Sequence, residues 1–190
     1  MKISFVGSHG TGKTTTLSSL AELRPEWIVY PEASRHLIQK LGFQNAYEFV
    51  DLHGIGAYEL VFLSHWSWLD PVYSAVVQSG VFLIDRSPID NLAYYLLLRK
   101  DSEIKYESTL FNLAQYYMSF IDYYILFPTG IFQFEADELQ RCELQEELQQ
   151  IITGLLKKYS LPYFEIRETG VHERVHEILF KIETGQKREG

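Results

Sequence analysis

Eight residues near the start of the sequence limit its fold more than any others: Gly7-Ser8-His9-Gly10-Thr11-Gly12-Lys13-Thr14. They match the pattern G-x-x-x-x-G-K-[ST] in full. They also lie between a β-rich run, Lys2 to Val6, and a helical pattern from Lys13 to about Leu23. The glycines let successive backbone N–H groups turn inward around an anion, where a Cβ would obstruct them. The following helix aims the positive end of its dipole at the same place. This predicts a site for the phosphates of ATP built from Gly7, His9, Gly10, Thr11, Gly12, Lys13, Thr14 and Thr15. Lys13 is expected to reach the β- and γ-phosphates and Thr14 to give its hydroxyl to Mg2+. His9 is a loop position with no chemical role of its own.

The rest of the chain alternates strand-like and helix-like stretches. Strands are expected at Trp27 to Tyr30, Val81 to Asp85, Tyr123 to Phe127 and Pro162 to Ile166. Helices are expected at about Ala33 to Leu41, twice between Asn45 and Ser79, then at Pro88 to Arg99, Tyr106 to Ile121, Ala136 to Tyr159 and Val171 to Ile182. Gly154 is expected to weaken the long helix in which it falls. Val81-Phe82-Leu83-Ile84 is apolar at every position, which fits a strand covered on both faces. The class is therefore α/β with a parallel sheet, and ligands belong at the carboxyl ends of its strands. A length of 190 residues with 46% hydrophobic content suits one domain spanning 1–190.

Charge and cysteine content narrow the partners. A formal net charge of −8 disfavours general binding to nucleic acid, which needs a basic footprint. A local basic cleft for a small anion remains compatible with it. A single cysteine, Cys142, forms no intramolecular disulfide and suits a cytoplasmic location. No apolar run approaches the roughly 18 residues of a membrane span. Oligomeric state is open, and a homodimer is allowed.

Two strand ends carry further chemistry. Asp85 closes the third strand and precedes Arg86. A carboxylate there is suited to hold Mg2+ or accept a proton, and a guanidinium beside it matches phosphate geometry. The plainer alternative is a surface ion pair, with Ser87 and Asp90 capping the next helix. After the second strand, Glu32 and Arg35 lie one helical turn apart and can face the same side, or simply pair with each other. The aromatics between Tyr58 and Tyr73, Trp66 among them, offer either a stacking pocket for a base or core packing.

The stretch Asp85-Arg86-Ser87-Pro88-Ile89-Asp90-Asn91-Leu92-Ala93-Tyr94 resembles the D-R-Y-x-x-S-x-x-A-Y element of thymidylate kinases and the D/E-R-S element of deoxynucleoside kinases. Ser87 stands where the first pattern has tyrosine, and Asp90 where it has serine. With Pro31-Glu32-Ala33-Ser34-Arg35, the whole resembles a compact AAA-type group of P-loop kinases that includes nicotinamide-riboside-kinase-like domains. The resemblance implies a three-layer P-loop NTPase fold with strand order 2-3-1-4-5. It also implies a helical substrate-binding region at about 42–80 and a lid at about 128–142. By position it makes Glu32 a base or substrate ligand, Arg35 a substrate-phosphate contact and Arg141 the lid arginine, beside an Arg86 whose guanidinium is itself suited to contact a phosphate or stabilise charge at transfer.

The function expected is ATP- and Mg2+-dependent phosphorylation of a small nucleoside or nucleoside monophosphate. The alternatives are a polynucleotide or modified-DNA-base kinase, which the charge disfavours, and a nucleotide-dependent switch that hydrolyses triphosphate slowly.

Overall fold

A computed structural model describes residues 1–32, 38–44, 46–54, 80–99, 107–131 and 144–184. Five strands form one parallel sheet: β1 (Lys2–Val6), β2 (Ile28–Tyr30), β3 (Phe82–Asp85), β4 (Tyr123–Leu126) and β5 (Tyr163–Glu165). Their order across the sheet is β2-β3-β1-β4-β5, as expected. The helices bounded within the described residues are α1 (Lys13–Leu23), α2 (Ala46–His53), α3 (Pro88–Leu98), α4 (Glu107–Met118), α5 (Gln145–Lys158) and α6 (Val171–Glu183), and residues 38–40 are helical too.

Strand alternation sorts the core into two layers, because successive side chains point to opposite faces. Ile3 and Phe5 of β1, Leu83 of β3 and Ile125 of β4 face one side, where they meet Leu17 and Leu20 of α1 and Val175 and Ile178 of α6. Val6, Phe82, Ile84, Tyr124 and Leu126 face the other, against Leu92 and Tyr95 of α3, Ala114 of α4 and Leu148, Ile152 and Leu156 of α5. Burying each large apolar side chain contributes about 1.5–3 kcal/mol, so both faces of β1, β3 and β4 hold the sheet in place.

Register carries the strand ends to one rim. Phe5 of β1 lies opposite Asp85 of β3, and Val6 lies opposite Leu126 of β4. Tyr30 of β2 lies opposite Ile84. The loop after β1, the turn after β3 and the segment after β2 therefore open side by side.

One helix expectation shifts, and the helix that contains Gly154 is continuous. The helix expected to reach Ile121 ends at Met118, where the Ser119 hydroxyl donates to Tyr116 O at 2.6 Å and the next amides turn onto carbonyls three residues back. Gly154 does not interrupt α5. The buried stripe of Leu148, Ile152, Leu155 and Leu156 holds the helix by tertiary packing, which outweighs one unfavourable residue. The first part of the long expected helix, residues 136–143, lies outside the described residues.

Candidate active site

The loop after β1 takes its shape from glycines that nothing else replaces. Gly7 has φ 144°, and a Cβ there would run into the carbonyl oxygen of Phe127 at the end of β4. Gly12, at φ 79°, caps α1, and a Cβ there would meet the Arg174 guanidinium of α6. Lys13 is buried beneath the loop. Its Nζ donates to Gly7 O at 2.8 Å, to Ser8 O, and to Thr11 Oγ1 at 3.2 Å. Burial pushes the Lys13 ammonium down to about 8, and Arg86 pushes the same way, while Asp90, Asp85 and Glu32 oppose them. A polyanion reaching the loop would favour the charged form again.

Thr14 and Asp85 meet across the strand ends. The Thr14 hydroxyl donates to Asp85 Oδ2 at 2.8 Å. Asp85 is 3% exposed, and its Oδ1 is buried with no hydrogen-bond partner among the described residues. A buried carboxylate oxygen left over beside a threonine hydroxyl is a donor set suited to a hard divalent cation. The two residues thus fit Mg2+, and its expected ligands from sequence are in contact.

Arg86 adopts φ 65°, a left-handed conformation rare outside glycine that costs about 1–2 kcal/mol. Its side chain is locked from two sides. Nε donates to Glu32 Oε2 at 3.0 Å, and the guanidinium lies 5.1 Å from the centre of the Tyr94 ring. Burial alone would lower its affinity for a proton, but Glu32, Tyr94 and Asp90 hold it well above its ordinary range. Glu32 and Arg86, read from separate stretches of sequence, therefore form one largely buried pair at adjacent strand ends. A pair this secluded holds a guanidinium where it can face a phosphate without free rotation.

The capping reading of Ser87 and Asp90 is also present. The Ser87 hydroxyl accepts from the Ile89 amide at 3.2 Å, the Asp90 carboxylate accepts from the Ser87 amide at 2.9 Å, and Pro88 occupies the first helical position. Asp90 does more than cap. Its Oδ1 accepts from the Gly7 amide at 3.1 Å, across 83 residues. Burial raises its carboxyl to about 6, against the opposing pull of Lys13, Arg86 and the two amides.

Several neighbours of the loop carried no signal recognised in the sequence. His9 is 4% exposed, with Nδ1 3.2 Å from the Tyr94 hydroxyl. Gln149 Oε1 accepts from the Ser8 amide at 3.1 Å, and Gln145 Nε2 donates to His9 O at 2.8 Å. Arg174 Nη1 donates to Thr16 Oγ1 at 3.1 Å and to Gly12 O at 3.4 Å. A glutamine on the apolar stripe of α5 was the one sequence sign of Gln149. Gly10, Thr14 and Thr15 are exposed, whereas Gly7, His9 and Thr11 are buried. Arg35, Trp66 and Arg141 lie outside the described residues, as do most of the expected lid and residues 55–79 of the helical region. Among the described residues no helix is long and apolar enough to cross a membrane.

Solved structures share this fold. Deoxyadenosine kinase from M. mycoides with bound dATP superposes with a TM-score of 0.66 at 17% identity, over 96% of this chain and 99% of that one. Thymidylate kinase from Candida albicans gives 0.61 at 17%, over 97% and 92%. The NadR protein in complex with NR gives 0.70 at 16%, over 100% of this chain and 51% of that chain, so this chain spans about half its length. No curated protein matches the sequence. The chain shares its fold with these structures, and with a family model described as AAA domain matching residues 2–174, the chain belongs to the AAA domain family.

Proposed function

We propose that this protein is an ATP- and Mg2+-dependent phosphotransferase whose acceptor is a nucleoside or a nucleoside monophosphate. The observation that carries the reading is the meeting of two half-sites on one rim. Lys13 and the Thr14–Asp85 contact lie at the end of β1, and the Glu32–Arg86 pair lies beside them where β2 and β3 end. A donor phosphate held by the first would present its terminal group toward the second.

Gly10, Gly12, Lys13, Thr14 and Thr15 would hold the triphosphate. Thr14 and Asp85 would hold Mg2+, which when bound neutralises charge on the phosphates. Arg86, fixed by Glu32 and Tyr94, would stabilise charge on the transferred group or on an acceptor phosphate. Glu32, next to it, would orient the acceptor hydroxyl and take its proton. Arg35 and Arg141 would add positive charge from the acceptor side and the lid, and Trp66 would stack on the acceptor base. Solved relatives of the same fold whose descriptions name deoxyadenosine kinase, thymidylate kinase and a complex with NR support a small acceptor of this class. The net charge of −8 supports the same choice over a nucleic-acid end.

ADP release in a coupled assay, with ATP, MgCl2 and a panel of nucleosides and monophosphates, tests the proposal. At least one acceptor should raise ADP release well above the rate without acceptor. ATP binding with no acceptor effect across the panel would refute the kinase reading and leave a slow hydrolase or switch.

A further inference from the structure

We propose that Asp90 and Gln149 clamp the first half of the phosphate loop in its working shape before nucleotide arrives, and so act as positioning residues for triphosphate binding. The proposal rests on the phosphate-loop reading above and adds two residues to it.

Consecutive amides of the loop are already taken. Gly7 N donates to Asp90 Oδ1 and Ser8 N to Gln149 Oε1, each at 3.1 Å. The acceptors come from two different helices, α3 and α5, and are 0% and 9% exposed. Gln145, one turn before Gln149, donates to His9 O. The other oxygen of Asp90 accepts from Ser87 N, so one carboxylate joins the loop to the turn that carries Asp85 and Arg86. The exposure pattern follows the same division. The clamped positions 7 to 9 are buried, and the exposed positions of the loop are Gly10, Thr14 and Thr15, with Thr11 and Lys13 buried between them.

A glycine-rich loop has many conformations to lose when it closes on an anion. Fixing part of it in advance removes that cost from binding. It also divides the loop. The amides of Gly7 and Ser8 are withdrawn from the ligand, and those from Gly10 onward remain for phosphate. Both acceptors must be oxygen. Asparagine at 90 would offer one oxygen and turn an NH2 toward the second amide, and methionine at 149 would keep the length but leave Ser8 N without its acceptor.

The full-length chain is titrated calorimetrically with ATP and with tripolyphosphate, both in MgCl2, and amide exchange is followed by NMR without nucleotide. Asp90→Asn and Gln149→Met should each raise the dissociation constant for both ligands at least tenfold and release protection at Gly7 and Ser8. Ile152→Val, which trims the buried face of the same helix, should lower melting temperature with less than a twofold change in affinity. In the wild type, Gly7 and Ser8 should exchange far more slowly than Gly10. Equal exchange at the three positions, or unchanged affinity in both clamp variants, would overturn the clamp. If either variant fails to fold, the wild-type exchange pattern decides. A wild type that binds neither ligand would instead sink the phosphate-loop reading.

Discussion

Substituting Gly12 by alanine gives a prediction that the geometry fixes in two parts. The first is backbone strain. At φ 79° an L side chain sits in the left-handed region, at a cost of about 1–2 kcal/mol. The second is displacement. The new methyl would occupy the place of Arg174 Nη1, so the guanidinium must swing away and lose its bonds to Thr16 Oγ1 and Gly12 O. With one bond at 3.1 Å and one long at 3.4 Å, that loss is about 2–3 kcal/mol. Gly12→Ala should therefore cost about 3–5 kcal/mol, a large share of a typical domain's stability. Arg174→Ala removes the same two bonds and also the Nε bond to Gly170 O at 3.2 Å, so it should cost about 3–4 kcal/mol. In the double variant the two shared bonds are lost only once, so its total should exceed that of Gly12→Ala only by the Gly170 bond, about 1 kcal/mol, with a coupling of about 2–3 kcal/mol. Urea unfolding of the four proteins measures this cycle. Single effects that add to within about 0.5 kcal/mol would show that Arg174 does not press on the loop, and the reasoning would fail.

Three further outcomes follow from the site. Lys13→Ala and Asp85→Ala should each reduce turnover about 10³-fold or more in the coupled ADP assay, and Asp85→Ala should also flatten the MgCl2 dependence. If Arg141 takes the lid role proposed for it, Arg141→Ala should lower kcat at least about tenfold with little change in ATP affinity by calorimetry. The Asp90 carboxyl, raised from 3.8 to about 6, disfavours its charged form in the folded chain, so its contribution to stability is full below pH 4 and lost as pH rises through 6. Wild type should thus lose up to about 3 kcal/mol relative to Asp90→Asn across that interval in pH-dependent urea melts, and parallel curves would refute it.

What the sequence disclosed and what it withheld have a common physical reason. The loop from Gly7 to Thr14 and the strand at Phe82–Asp85 were legible because their signals are local: glycine spacing in one, an unbroken apolar run in the other. Ser87 with Asp90 was legible as a cap for the same reason, since the two lie one helical turn apart. The second bond of Asp90, to Gly7, was not, nor were His9 to Tyr94 and Ser8 to Gln149, which span 83, 85 and 141 residues. No pattern within a window of residues encodes such pairings. The pairing of Glu32 with Arg86 is of this kind too. Sequence spacing offered Arg35 as its partner, and the parallel order of β2 beside β3 brings Arg86 to it.

The sheet order has a consequence for how the chain reaches its native state. The central strand β1 finds its neighbours only about 80 residues away, at Phe82, and about 120 residues away, at Tyr123. Both contacts close long chain segments, and the entropy of each closure is spent before any pairing repays it. A chain cut between β3 and β4 would leave β1 with a bare row of amides and carbonyls along one side, the arrangement that recruits a strand from another molecule. Productive folding of this protein therefore depends on β1 staying unpaired with strangers until β4 is present, which makes a truncated or slowly completed chain the form most prone to aggregate.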